Sequence, residues 1–120
     1  MIRRAGENIA AAEVEAVLQA APEVAQVAVL ACPDEVRESE VLACVVPKAG
    51  AVPDEALAHR LHAWAAARLA YYKAPGWLLF MTELPTTGTQ KIQKHQLFNR
   101  DEDPRQRPGI HDVRHLKKRQ

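Results

Sequence analysis

A lysine at the close of a loop of small, hydroxyl-bearing residues is the first feature of this 120-residue sequence that can do chemistry. The run Leu84-Pro85-Thr86-Thr87-Gly88-Thr89-Gln90-Lys91-Ile92-Gln93-Lys94 sets Lys91 just ahead of an expected helix start. A lysine so placed extends a compact positive charge toward a phosphate or carboxylate. The threonine hydroxyls and the Gly88 backbone can order the loop or bond anion oxygens. It is not a phosphate-cradling P-loop, which needs a Gly before the lysine and a hydroxyl after it; here those places hold Gln90 and Ile92. Taken alone, the segment also fits an exposed turn with a solvated lysine. A second segment, Arg3-Arg4-Ala5-Gly6-Glu7-Asn8-Ile9-Ala10-Ala11-Ala12-Glu13-Val14-Glu15, places a glycine just before a helix. Glycine lets backbone approach a ligand closely, and the two arginines suit phosphates. Its plainer alternative is a helix entry capped near Asn8 with solvated charges.

The elements that position these residues follow from hydrophobic period. Val14, Val17, Leu18 and Ala21 share one helical face, and Pro22 stops that helix. Val24 to Cys32 and Ser39 to Pro47 are β-rich runs joined by a polar connector, so an antiparallel hairpin is expected. Their near-continuous apolar character predicts cover on both faces. Pro53 fits a first helical position, with Asp54 and Glu55 suited to the helix dipole. Leu57, Leu61, Trp64, Ala65 and Leu69 continue that helix to about Ala70. A third strand is expected over Trp77 to Leu84 and a last short helix over Ile92 to Asn99. The predicted fold is α+β, a small three-stranded, mainly antiparallel sheet flanked by helices in the order α-β-β-α-β-α. Residues 1–99 form the expected domain, and 100–120 read as a charged, flexible tail.

Composition narrows the function classes. Sixteen Lys+Arg against fifteen Asp+Glu give a net charge of +1, with no global pull toward nucleic acid or an anionic surface. The longest apolar runs fall far short of the ~18 residues needed to span a bilayer, and acidic residues interrupt any signal-peptide core. Cys32 and Cys44 are not a CxxC pair and read as buried free thiols in a cytoplasmic protein. His59 and His62, near Leu61 on a helix, read as surface or partly buried residues and not ligands, and His95, His111 and His115 lack the companions and spacing of a metal site.

Together the two segments are far more specific than either alone. Arg-Arg-x-Gly-Glu-Asn-Ile-x-x-x-Glu-Val-Glu resembles the motif that opens the C-terminal domain of adenylate-forming acyl-CoA synthetases, and Leu84 to Lys94 resembles their lysine loop. Between them, Cys32-Pro33-Asp34-Glu35 is similar to their Val-Pro-Asp turn, and Leu69-Ala70-Tyr71-Tyr72-Lys73-Ala74-Pro75 to their Leu-x-x-Tyr-Lys-x-Pro segment. The resemblance covers roughly residues 1–98, in order and at the right spacing. Gly-Glu-Asn-Ile looks more like acyl-CoA ligases than peptide-synthetase adenylation domains or luciferases.

The resemblance implies a lid that closes over an N-terminal domain holding ATP and a carboxylic acid. The acid attacks the α-phosphate to give an acyl-adenylate and pyrophosphate; the lid then turns, and the CoA thiol attacks to give a thioester and AMP. Lys91 matches the lysine of the first step, and Gly6 the glycine lining the thiol's route in the second. Glu7 matches the same CoA-side loop, and Arg3, Arg4 and Lys73 are candidates for the CoA phosphates. The implied substrates are ATP with Mg2+, CoA and an acid; the implied partner is the N-terminal adenylate-forming domain, with no nucleic acid or membrane. Without that domain the chain is expected to make no product. The alternative is a free-standing binding module that kept the fold and lost catalysis. One departure concerns the loop itself: Gln90 stands where the family usually has Gly, which implies either a different backbone there or a position where glycine is not required.

Overall fold

The computed structural model describes the chain except residues 1, 5, 35–38, 87, 89–91, 100 and 118–120. Strands β1 (Ile2–Arg4) and β2 (Glu7–Ile9) form an antiparallel hairpin ahead of helix α1 (Ala11–Gln19). Asn8 therefore sits in a strand opposite Arg3, and the residue at the α1 cap is Ala10, which offers no side-chain bond. Register pairs Arg4 with Glu7, leaving Gly6 as the second residue of a two-residue connection. Its φ of +84° is the left-handed region that only glycine enters freely.

Strands β3 (Val24–Pro33) and β4 (Ser39–Pro47) form the expected antiparallel pair. Helix α2 (Glu55–Ala66) begins two residues later than the proline pattern suggests. Asp54 is its cap, accepting the Leu57 N–H at 2.9 Å, and Pro53 stays outside. The helix carries the chain back across the sheet, so β5 (Trp77–Phe80) runs parallel to β4; parallel neighbours need such a crossover. β5 is shorter than predicted, although Leu84 beyond it remains buried. The short helix expected over Ile92 to Asn99 is a single 3-10 turn, Lys94–Gln96.

The larger departure is at the C-terminus. Residues 101–117 are folded against the body, where a mobile tail was expected. A two-residue strand, β6 (His111–Asp112), pairs antiparallel with β5 and makes a four-stranded sheet of order β3-β4-β5-β6. Val113 is completely buried and donates its N–H to Gly76 O at 2.9 Å. Arg114 stacks on Trp77, Arg107 on Phe98, and both arginines are held by carboxylates, Asp112 and Glu102. Charged residues therefore anchor this segment through their planar heads, which is why its low apolar content did not leave it loose.

Cover on both sheet faces is as the strand composition predicts. Val27, Val29, Val41, Ala43, Val45 and Leu78 pack with α1, α2 and the hairpin residues Ile2 and Ile9. Ala28, Cys32, Leu42, Cys44, Trp77 and Leu79 form the opposite face with Leu84 and Leu97. Near the β4 entrance lies a fully buried carboxylate, Glu40. Arg4 donates to its Oε2, and the Lys117 ammonium stands 3.0 Å from Oε1 while donating to Tyr72 O at 2.8 Å. A Cβ on Gly76 would overlap the Glu40 carboxylate, so glycine is required there for space.

Removing the charge from a buried cluster leaves its partners uncompensated, so Glu40→Gln is expected to cost about 3–5 kcal/mol of folding stability. Gly76→Ala is expected to cost about 1–3 kcal/mol through overpacking. Urea midpoints at fixed pH measure both. Values indistinguishable from the parent chain would remove the cluster from any structural role.

Candidate functional site

Helix α1 directly follows the hairpin and pairs with two lysines from other motif segments, Lys73 and Lys94. Glu13 and Glu15 are two residues apart, a rotation of about 200° around the helix axis. On one side, Glu13 accepts two hydrogen bonds from Lys73 Nζ, at 2.9 and 3.1 Å. That bond, with a smaller contribution from the charge of Glu7, pushes the Lys73 ammonium above its ordinary range. On the other, Glu15 Oε2 meets Lys94 Nζ at 2.8 Å. Lys73, in the turn Tyr71–Lys73, and Lys94, on the far stem of the lysine loop, are thus held by different glutamates of α1.

The candidates for CoA phosphates fare differently. Arg3 and Glu7 are exposed on the hairpin. Lys73 is a surface cation whose partner, Glu13, is itself half in water, so an anion can compete for it. Arg4 does not fit the expectation. It is buried, 5% exposed, with its guanidinium committed to Glu40, and it supports the hairpin from beneath. Alternation along a strand puts Arg3 and Arg4 on opposite faces. At Gly6 an added Cβ would meet nothing within 4 Å, so inside this domain the glycine answers to backbone conformation alone.

Lys91 lies outside the described residues, as does Gln90. The stems of its loop are described. Thr86 and Ile92 form an antiparallel bridge, and the Gln93 N–H donates to Pro85 O at 2.7 Å, closing the loop at its base. Leu84 and Leu97 fasten the two sides to the second core. Sequence reasoning treated Glu13 and Glu15 as helix-surface charges and gave Lys94 no role. Partners so far apart in the chain leave no periodic signal, so no local pattern could have paired them.

The family model for the AMP-binding enzyme C-terminal domain matches residues 13–91, well over half of the chain. The chain belongs to that family. It is 44% identical over 99 residues to the 4-chlorobenzoate–CoA ligase of Pseudomonas sp. (strain CBS-3), covering 82% of this chain and 18% of that protein. A mitochondrial medium-chain acyl-CoA ligase of Danio rerio is 38% identical over 102 residues, 85% of this chain and 16% of that one. The crystal structure of a Brucella canis acyl-CoA synthetase superposes with a TM-score of 0.74 at 33% identity, over 77% of this chain and 17% of that chain. The chain spans less than a fifth of the length of each of these proteins.

Neither cysteine of this AMP-binding C-terminal domain is placed to act as a nucleophile. Cys32 and Cys44 are free and buried, and burial pushes both thiols up to about 12 from an ordinary 9.0. His62 is buried with Nδ1 2.8 Å from Pro75 O, and burial lowers its affinity for a proton. Among the described residues no three His, Cys, Asp or Glu side chains are grouped to hold a metal ion, and no helix is long and apolar enough to cross a membrane.

The thiols give a signed pH prediction. Below an ordinary 9.0 both folded and unfolded thiols are protonated; between there and about 12 the unfolded chain releases protons that the folded one keeps. Stability is therefore expected to fall as pH rises through that window. A chromogenic disulfide reagent at pH 8 should titrate neither cysteine until denaturant is added. Rapid reaction of the folded chain would contradict the burial of Cys32 and Cys44.

Proposed function

We propose that this chain is the lid of an acyl-CoA ligase, working in the cytoplasm with an N-terminal domain that holds ATP and a carboxylic acid. The complete reaction converts ATP, acid and CoA into acyl-CoA, AMP and pyrophosphate, with Mg2+ accompanying ATP as part of that substrate. The observation that supports the reading is that Glu13 and Glu15, about 200° apart around α1, pair with lysines of two different motif segments, Lys73 and Lys94. A domain built this way can present one edge to the partner's active site, then turn and present the other.

In the first step the presented edge carries Lys91. A carboxylate must approach the α-phosphate, and negative charge builds on the phosphorus as the new P–O bond forms and pyrophosphate leaves. An ammonium held where that charge develops, with water excluded, lowers the barrier by electrostatics alone. In the second step the hairpin faces the adenylate. The thiol sulfur attacks the acyl carbon and AMP departs. Gly6 lets the hairpin turn without a side chain at its tip, leaving room for the incoming thiol arm. Glu7 shapes that turn, and Arg3 and Lys73 lie on its flank for the CoA phosphates. Lys73 can exchange Glu13 for a phosphate at modest cost because the Glu13 carboxylate is itself partly in water.

Measuring the two half-reactions separately in the complete ligase tests the assignment. Lys91→Ala is expected to slow adenylation by about 10²–10³-fold, with thioester formation from supplied acyl-adenylate nearly unchanged. Gly6→Leu should spare adenylation and impair the thioester step. Equal losses in both steps for either variant, or intact adenylation without Lys91, would overturn the division of labour.

A further inference from the structure

Strand β3 is an edge of the four-stranded sheet, and Val29 pairs with Ala43 on β4. In an antiparallel strand the N–H and C=O of one residue point the same way. Both polar groups of Val29 are taken up by side chains: its N–H donates to Glu15 Oε2 at 2.8 Å, and its C=O accepts from Lys94 Nζ at 2.9 Å. The same Glu15 oxygen meets Lys94 Nζ at 2.8 Å. A carboxylate and an ammonium thus occupy the edge where another strand would bond, and together they fasten the stem beyond residue 92 to helix α1 and the sheet.

We infer that Glu15 and Lys94 are positioning residues for adenylation, fixing the C-terminal stem of the lysine loop against the edge of β3. The inference rests on the role of Lys91 proposed above. The bridge between Thr86 and Ile92 and the bond from Gln93 N–H to Pro85 O close the loop on itself without tying it to the body. Leu84 and Leu97 anchor it through non-directional apolar contact. Lys94 supplies directional bonds three residues from Lys91, a span of at most about 10–11 Å of chain. A small error in the stem is therefore carried to the reacting ammonium, where misplacement by about 1 Å can cost a hundredfold in rate. Glu15 has a second effect. It neutralises Lys94, so that a neighbouring cation does not draw the substrate anions away from Lys91.

The test uses the complete ligase, with both half-reactions and the thermal midpoint measured for Lys94→Met, Glu15→Gln and Lys94→Arg. Lys94→Met and Glu15→Gln are expected to lower kcat for adenylation by about tenfold. KM for ATP and the thioester step should stay near the parent values, and Lys94→Arg should restore most of the adenylation rate. Unchanged adenylation in Lys94→Met would overturn the inference. So would a loss shared equally by both half-reactions and tracking a lowered thermal midpoint, which would make the pair merely structural. Lys91→Ala, run alongside, separates the two claims. If it abolishes adenylation while Lys94→Met is silent, only the clamp falls; if it is itself silent, the role of Lys91 falls and the clamp with it.

Discussion

A single buried carboxylate holds the ends of this domain to its centre. Glu40 sits at the start of β4 with no exposure to water, and a charge in that position is sustained only by opposite charge at contact distance. Arg4 supplies it from the N-terminal hairpin and Lys117 from the C-terminal segment. The space for it exists because residue 76 has no side chain. Three stretches of chain that are distant in sequence therefore depend on one another for electrical balance.

That balance helps decide where the N-terminal hairpin lies. Ile2 and Ile9 bury their side chains with the helices, while Arg4 reaches the carboxylate beneath. Gly6 and its neighbours are left at an exposed tip whose base cannot swing independently of the sheet. The lysine loop is governed by a different constraint. It leaves β5, closes on itself, and is returned to the opposite side of α1 by Lys94. Under the proposed two-step role, α1 braces two different segments through different glutamates, Glu13 to Lys73 and Glu15 to Lys94.

The strands, and the cover on both their faces, were legible because Val27 to Cys32 and Val41 to Val46 are too uniformly apolar for a sheet with a wet side. The helices were legible from period and stop signals, with the start of α2 displaced by two residues because Asp54 serves as its cap. The parallel pairing of β5 was not, since strand direction is set by the crossover and not by composition. β6 was invisible for a simpler reason: two polar residues, His111 and Asp112, carry no period. Arg4 read as a phosphate ligand because its partner lies 36 residues away. Gly6 and Lys91 could be singled out only through motifs in a fixed order, whereas Glu15 and Lys94 become neighbours through folding alone.

The central claim is that this domain supplies what an adenylate-forming domain lacks. Its most direct test is a transplant: the C-terminal domain of the 4-chlorobenzoate–CoA ligase removed and this chain fused in its place. Acyl-CoA formation from ATP, acid and CoA should rise well above that of the truncated ligase. A folded chimera that forms thioester no faster than the truncated enzyme would contradict the account.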